Sequence, residues 1–369
     1  GSEDTSKSGV HQLLPDGGVP KITGAPSGLG GDSRGISFAA NTPDGKYMVR
    51  SQNDFWGGKN LKAFLIDDVG KKLTEAEVVG MGDAVSAYIP SISPDGRFIA
   101  FTTGQGDTSL GANPTKALNV MNLTVDSTVM PAGRLTFSNR RTIVDTGAMG
   151  PVVKFATFLP NTQMLAYQEH TSGCTANAGM LPTWSAACTH GSRSPGRLMF
   201  IDTSATGTMP VPMSKANAGL DNSAEWQNYE PFALPTPSGG YYWVAFTSIR
   251  DYGNTYQGAA ARKQLWVTAV STHPGPNEDP SHPAFYLPNQ KETENERGYW
   301  ALDPCKDVGE GCASGGECCA GFCREFQEGT QKVCSQKTQT CSQEGERCQT
   351  ADDCCPPFEG LGLQCLGGF

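Results

Sequence analysis

The chain has 369 residues and a mass of 39.1 kDa, enough for one large domain or two ordinary ones with a sizeable core. Forty-five glycines and 25 prolines favour many short strands and tight turns over long helices, and no apolar run approaches the roughly 18 residues that cross a bilayer. A net charge of −9, with Lys and Arg scattered, counts against nucleic acid and anionic lipid as partners.

Residues 1–18 read as a flexible tether, either a tag remnant or what is left once a leader is removed, and a lipid anchor there is one option. From residue 19 to 304 a phrase recurs: apolar strand, polar turn, apolar strand, gap, apolar strand. The first copy is residues 36–38, the turn Pro43-Asp44-Gly45, residues 47–50 and residues 61–66. The second is the sharpest, running from Ile89 to Phe101 around Pro94-Asp95-Gly96 and then through residues 118–121. Pro presets φ and Gly accepts positive φ, so these triplets are hairpin turns. The third copy comprises residues 152–158, 164–167 and 197–202; the fourth, residues 230–234, 241–246 and 264–270. A fifth is expected from residues 283–288, with a second strand at 298–302.

A hairpin alone is marginal in water, so such sheets must stack, and radial stacking with short protected edges gives a β-propeller. The expectation is an all-β, five-bladed propeller over residues 19–304, with residues 19–23 closing the ring. Six blades follow if residues 123–150 hide a degenerate unit, and a β-sandwich shares the same strand spacing.

The Pro-Asp-Gly phrase, with Ile99-Ala100-Phe101 after it and Asn119-Val120-Met121-Asn122 later, resembles the TolB-like propeller repeat. Leu159-Pro160-Asn161 and Pro237-Ser238-Gly239 replace the turn in later units. Asn228-Tyr229-Glu230-Pro231 and His282-Pro283-Ala284-Phe285 are similar to stretches of surface propellers of deltaproteobacteria. The resemblance implies an architecture and a cell-surface location, with no activity attached.

Eleven of the 13 cysteines fall after residue 304, which implies an oxidising compartment. Cys305, Cys312, Cys318, Cys319, Cys323 and Cys334 have the spacing of an inhibitor cystine knot, with its central adjacent pair. Six cysteines allow 15 pairings by themselves. The resemblance implies Cys305-Cys319, Cys312-Cys323 and Cys318-Cys334 within a module over residues 305–340. A second, truncated copy over residues 341–369 implies Cys341-Cys355 and Cys348-Cys365, leaving Cys354 unpaired. The segment has few aliphatic side chains, so cross-links must stand in for a core. Zinc is disfavoured, because the tail has no Cys-x2-Cys pair and no His.

In a four-strand blade, the loops between second and third strands share a face with the blade-to-blade connections. Several are long: residues 51–60, 102–117, 168–196 and 248–263. The third carries a candidate disulfide, Cys174-Cys188. Ligand-binding candidates on this face are Trp56, His170, Trp184, Arg250, Tyr252 and Tyr256, because aromatics beside polar groups suit sugar or peptide recognition. Glu169, Glu230 and Asp251 are the alternative, a carboxylate acid/base set. Gly31-Asp32-Ser33-Arg34-Gly35 matches a nucleophile elbow but lacks the helix such a turn requires. No motif calls for a metal or cofactor.

The sequence therefore predicts an extracellular or cell-surface binding or scaffold protein, with outer-membrane-anchored and periplasmic settings as variants. Its long-loop face would engage a glycan, peptide or protein. The alternatives are an extracellular polysaccharide hydrolase or lyase using carboxylates near the channel, and a knottin-type inhibitor tail.

Overall fold

The computed structural model describes residues 39–51, 61–67, 72–81, 87–104, 115–147, 150–170, 195–204, 208–218, 227–252, 263–290, 295, 298–300, 309–312, 322–325 and 332–335. The chain divides into two compact units, residues 1–300 and 301–369.

Among the described residues the first unit has no helix; it is built from four meanders of four strands. The first meander is β1 (Ala39–Asn41), β2 (Tyr47–Ser51), β3 (Leu61–Asp67) and β4 (Lys72–Val79). The second is β5 (Ala87–Ile92), β6 (Phe98–Gly104), β7 (Thr115–Asp126) and β8 (Arg134–Asp145). The third is β9 (Val152–Phe158), β10 (Met164–His170), β11 (Gly196–Asp202) and β12 (Val211–Pro212). The fourth is β13 (Asn228–Ala233), β14 (Tyr241–Ser248), β15 (Gln264–Ser271) and β16 (Phe285–Tyr286). The first two form one eight-stranded sheet, because β4 and β8 pair in parallel from Glu77 opposite Arg134 to Val79 opposite Thr136. The strands at its two ends, β1 and β5, are neighbours, so this sheet nearly closes on itself. β9 lies beside β5 and β13 beside β9, so the first strands of the meanders run in series. The arrangement is propeller-like.

Turn chemistry fixes the hairpins. Gly45 and Gly96 sit at φ +70 and +74, and each amide donates to the carbonyl three residues back, Thr42 and Ser93. The Asp44 and Asp95 carboxylates accept from the Thr42 and Ser93 hydroxyls and from the Lys46 and Arg97 amides. In the third sheet Asn161 takes the aspartate's place, and Thr162 the glycine's, at φ +63.

β5, β9 and β13 share one irregularity. Two residues oppose one on the second strand: Ile89-Pro90 across from Phe101, Phe155-Ala156 across from Tyr167, and Glu230-Pro231 across from Phe246. The first of each pair has positive φ (50, 51 and 54°), and each opposed residue is a fully buried aromatic. Such a backbone costs about 1–3 kcal/mol per site for a side chain other than glycine.

Side chains alternate across each sheet, and that alternation stacks the meanders. Leu165, Tyr167, Met199 and Ile201 pack with Leu118 and Val120 of the second meander. Their neighbours Met164, Ala166, Leu198 and Phe200 pack with Val244 and Phe246 of the fourth. β9 and β10 are consequently buried throughout.

Three sequence expectations give way to the structure. Phe285–Tyr286 does not open a fifth unit; it pairs with β15 as the outer strand of the fourth sheet. Residues 298–300 are not a strand: a Cβ on Gly298 would meet the Leu265 side chain, and Trp300 Nε1 donates to the Phe232 carbonyl. The basis for six blades also falls away, since residues 123–145 complete β7 and supply β8. Residues 19–23 and 36–38 lie outside the described residues.

In the second unit β17 (Phe322–Glu325) and β18 (Lys332–Ser335) form a hairpin with Cys323 opposite Cys334. Cys312 is bonded to Cys323, and Cys334 is also in a disulfide. The other cysteines named above lie outside the described residues.

Candidate functional site

Trp56, Trp184, Tyr256 and the Cys174-Cys188 loop lie outside the described residues. The remaining ligand-binding candidates fall at the strand ends that carry the long loops: His170 ends β10, and Arg250 and Tyr252 follow β14; Lys263, which precedes β15, joins them there. Both buried candidate carboxylates are engaged by cations. Glu169 Oε2 accepts from Arg197 Nη2 at 2.8 Å and Nε at 3.1 Å, and Glu169 Oε1 accepts from the Tyr167 hydroxyl. Lys263 Nζ donates to Glu230 Oε1 at 3.2 Å, with both side chains almost wholly buried. Asp251 is exposed.

Glu230 belongs to a polar cluster where β9, β10 and β13 meet. Its backbone amide donates to Gln168 Oε1 at 2.8 Å, tying the bulge of β13 to β10. Gln168 Nε2 donates to His170 Nε2 at 3.1 Å, which requires that nitrogen to be unprotonated. Burial, reinforced by Lys154 and Lys263, holds the imidazole well below its ordinary range, in agreement with that bond. Lys154, opposite Gln168 on β9, is pushed by burial down to about 7, with Glu230 opposing the shift. The cluster thus joins a near-neutral amine, a carboxylate, a second lysine and an unprotonated imidazole. Lys154, Gln168 and Lys263 escaped the sequence reading, because lysines are ordinarily solvated. A signal was available in Lys154, the one charge inside the apolar phrase of residues 152–158.

A second network lies at the same end of the fourth meander. Asn217 Oδ1 accepts from the Leu198 amide at 2.9 Å and from Asn228 Nδ2 at 3.1 Å, while its Nδ2 donates to the Leu198 carbonyl. Beside it, Arg250 Nη1 donates to the Ala216 carbonyl at 2.9 Å, and the guanidinium lies 3.9 Å from the centre of the Trp266 ring. Burial lowers Arg250 to about 10. Tyr252 stacks on Tyr286 at 5.1 Å and meets Trp266 edge-on, while remaining 43% exposed. Tyr229 is fully buried against Gly196, where a Cβ would stand 2.7 Å from the ring, so only glycine fits.

No protein-family model and no curated protein matches the chain in sequence. Among solved structures of similar shape, a provisionally assigned 6-phosphogluconolactonase from Bacteroides uniformis is 12% identical, covering 76% of this chain and 67% of its own, at a TM-score of 0.36. An ancestral GH74 enzyme is 11% identical over 68% of this chain, at a TM-score of 0.39, and the chain spans 27% of that enzyme's length. A protein of Agrobacterium tumefaciens provisionally assigned as TolB is 10% identical over 69% of this chain and 91% of its own, at a TM-score of 0.27. Likeness at these levels carries no argument about chemistry; the propeller-like fold rests on the chain's own sheet order.

Proposed function

We propose that the chain is an extracellular or cell-surface binding protein of the TolB-like propeller type, holding a glycan, peptide or protein on the face of its second-to-third-strand loops. The observation that carries this reading is the engagement of Glu169 and Glu230 by Arg197 and Lys263. With those carboxylates occupied, what the face offers is polar and aromatic grip, with Tyr252 exposed at its surface. Five blades remain the proposed count: Met48, Phe64 and Leu73, on the face of the first meander turned away from the second, are buried and call for a further layer. The bond between Cys312 and Cys323 supports an oxidising setting, and we read residues 305–340 and 341–369 as cystine-knot modules serving as a protease-resistant spacer or second contact.

Glycan and peptide arrays with the full chain test this reading. Tyr252→Ala is expected to weaken a detected interaction about 3- to 10-fold, the worth of one aromatic contact. Binding unchanged in Tyr252→Ala and in Trp184→Ala would show that the ligand lies elsewhere.

One observation favours a second reading, a hydrolase or lyase of extracellular polysaccharide. The near-neutral Lys154 amine beside Glu230 and an unprotonated His170 is equipped to accept a proton. Release of reducing ends or unsaturated sugars by the wild type, lost in Lys154→Met, would establish it.

A further inference from the structure

We propose that the edge of Arg250 formed by Nε and Nη2 is the seat of a ligand carboxylate. The proposal deepens the binding reading by naming a ligand chemistry, and it relies on that reading for the accessible face alone. Arg250 is 9% exposed, and its Nη1 is committed to the Ala216 carbonyl. Nε and Nη2 are buried and have no hydrogen-bond partner among the described residues. These two nitrogens make up the side of a guanidinium that engages a carboxylate through two parallel N–H···O bonds.

An internal comparison shows what normally fills that edge. In the adjacent sheet, Arg197 directs its Nε and Nη2 to Glu169 Oε2 at 3.1 and 2.8 Å. Arg250 has the same two donors and, among the described residues, no acceptor. Burial is the sole cause depressing its pKa, with no acidic group opposing the shift as a neighbouring carboxylate would. A buried cation without a counter-charge is among the costliest groups a fold can carry, and this one is held firmly in place. Trp266 lies 3.9 Å beneath it, Phe246 is 5.4 Å away, and its own amide donates to the Ser248 hydroxyl. Among the described residues, Trp266 Nε1 and Asn228 Oδ1 are likewise buried without partners. In the proposal these three side chains, with unmade hydrogen bonds at one sheet end, line a small polar recess. Next along the chain, Asp251 and Tyr252 are exposed, which places the recess just beneath the surface.

The test uses the full chain labelled with nitrogen-15 and follows the Nε–H resonance of Arg250, assigned by its absence in Arg250→Met. Sodium acetate, sodium chloride and inorganic phosphate are titrated at matched ionic strength. The proposal expects a saturable shift of that resonance with acetate, a rise in Tm with acetate over chloride, and loss of the Tm response in Arg250→Met. If Arg250→Met does not fold, an acetate-dependent change in indole fluorescence that disappears in Trp266→Phe reads the same recess. No saturable response to acetate, an equal response to chloride, or a response to phosphate alone would overturn the assignment, the first meaning that water fills the edge. Acetate binding without any array hit would leave the carboxylate seat standing while sinking the binding-face reading. Array hits without acetate binding would do the reverse.

Discussion

The junction between the first and second meanders and that between the third and fourth perform the same structural task with different materials. In the first, Val49, Ala63, Ile99, Phe101, Leu135 and Phe137 interlock as an apolar layer. The outer strands add a parallel ladder, and the nearby Arg134–Glu77 pair is solvated. The second junction has a comparable apolar half around Phe200, Val244 and Phe246, and beyond it a buried set of Lys154, Gln168, Asn217, Glu230, Arg250 and Lys263. The first shows that stacking needs no buried charge. The charges of the second therefore cost stability that the first junction does without.

This contrast can be broken at several points. The largest effect is expected from Glu230→Ala, which strands buried Lys263 and should cost about 3–5 kcal/mol in denaturant unfolding. Phe101→Ala should cost about as much at the apolar junction, as a cavity effect, so a much smaller loss for Glu230→Ala alone would mean that its ion pair is not buried. Lys154 supplies a pH signature. Its pKa is about 7 when folded and 10.5 when free, so in that window the unfolded chain binds the extra proton. Stability should rise with pH there, by up to about 1.4 kcal/mol per unit, and the slope should flatten in Lys154→Met. A wild-type profile that falls over this range would contradict the burial of Lys154. Asn217→Ala removes the acceptor of the Leu198 amide and one of two donors to the Leu198 carbonyl, the other being the Met213 amide, and should cost about 1–3 kcal/mol, read as a lower urea midpoint. The smallest change is a gain: Thr162→Gly relieves a side chain at φ +63 and should add about 1 kcal/mol, whereas an equal loss would show that Thr162 packing outweighs its backbone.

Much of the fold was legible. Pro-Asp-Gly turns are local chemistry, so both sharp hairpins could be read directly, and apolar alternation located the first three strands of the third and fourth meanders. The outer strands were harder to see. β8 has an exposed middle, Ser138 to Arg141, and therefore lacks an apolar phrase. Residues 283–288 looked like an inner strand, yet Pro283 and Pro288 cannot donate to a ladder and leave a two-residue outer strand between them. Candidate site residues at strand ends, His170 and Arg250, were readable from topology. Their partners were not, because Lys154 of β9 becomes a neighbour of Glu230 only when the third and fourth meanders stack, and Lys263 meets Glu230 only across its own sheet. No local pattern encodes that meeting.

The account stands on the claim that Arg250 is buried for a ligand and not for the fold. Urea unfolding of wild type and Arg250→Met, each with and without acetate at constant ionic strength, addresses it most directly. The expected result is a variant at least as stable as the wild type without acetate, and an acetate-dependent rise in midpoint in the wild type alone. A variant that unfolds at lower urea while the wild type shows no response to acetate would make Arg250 a structural residue and contradict the account.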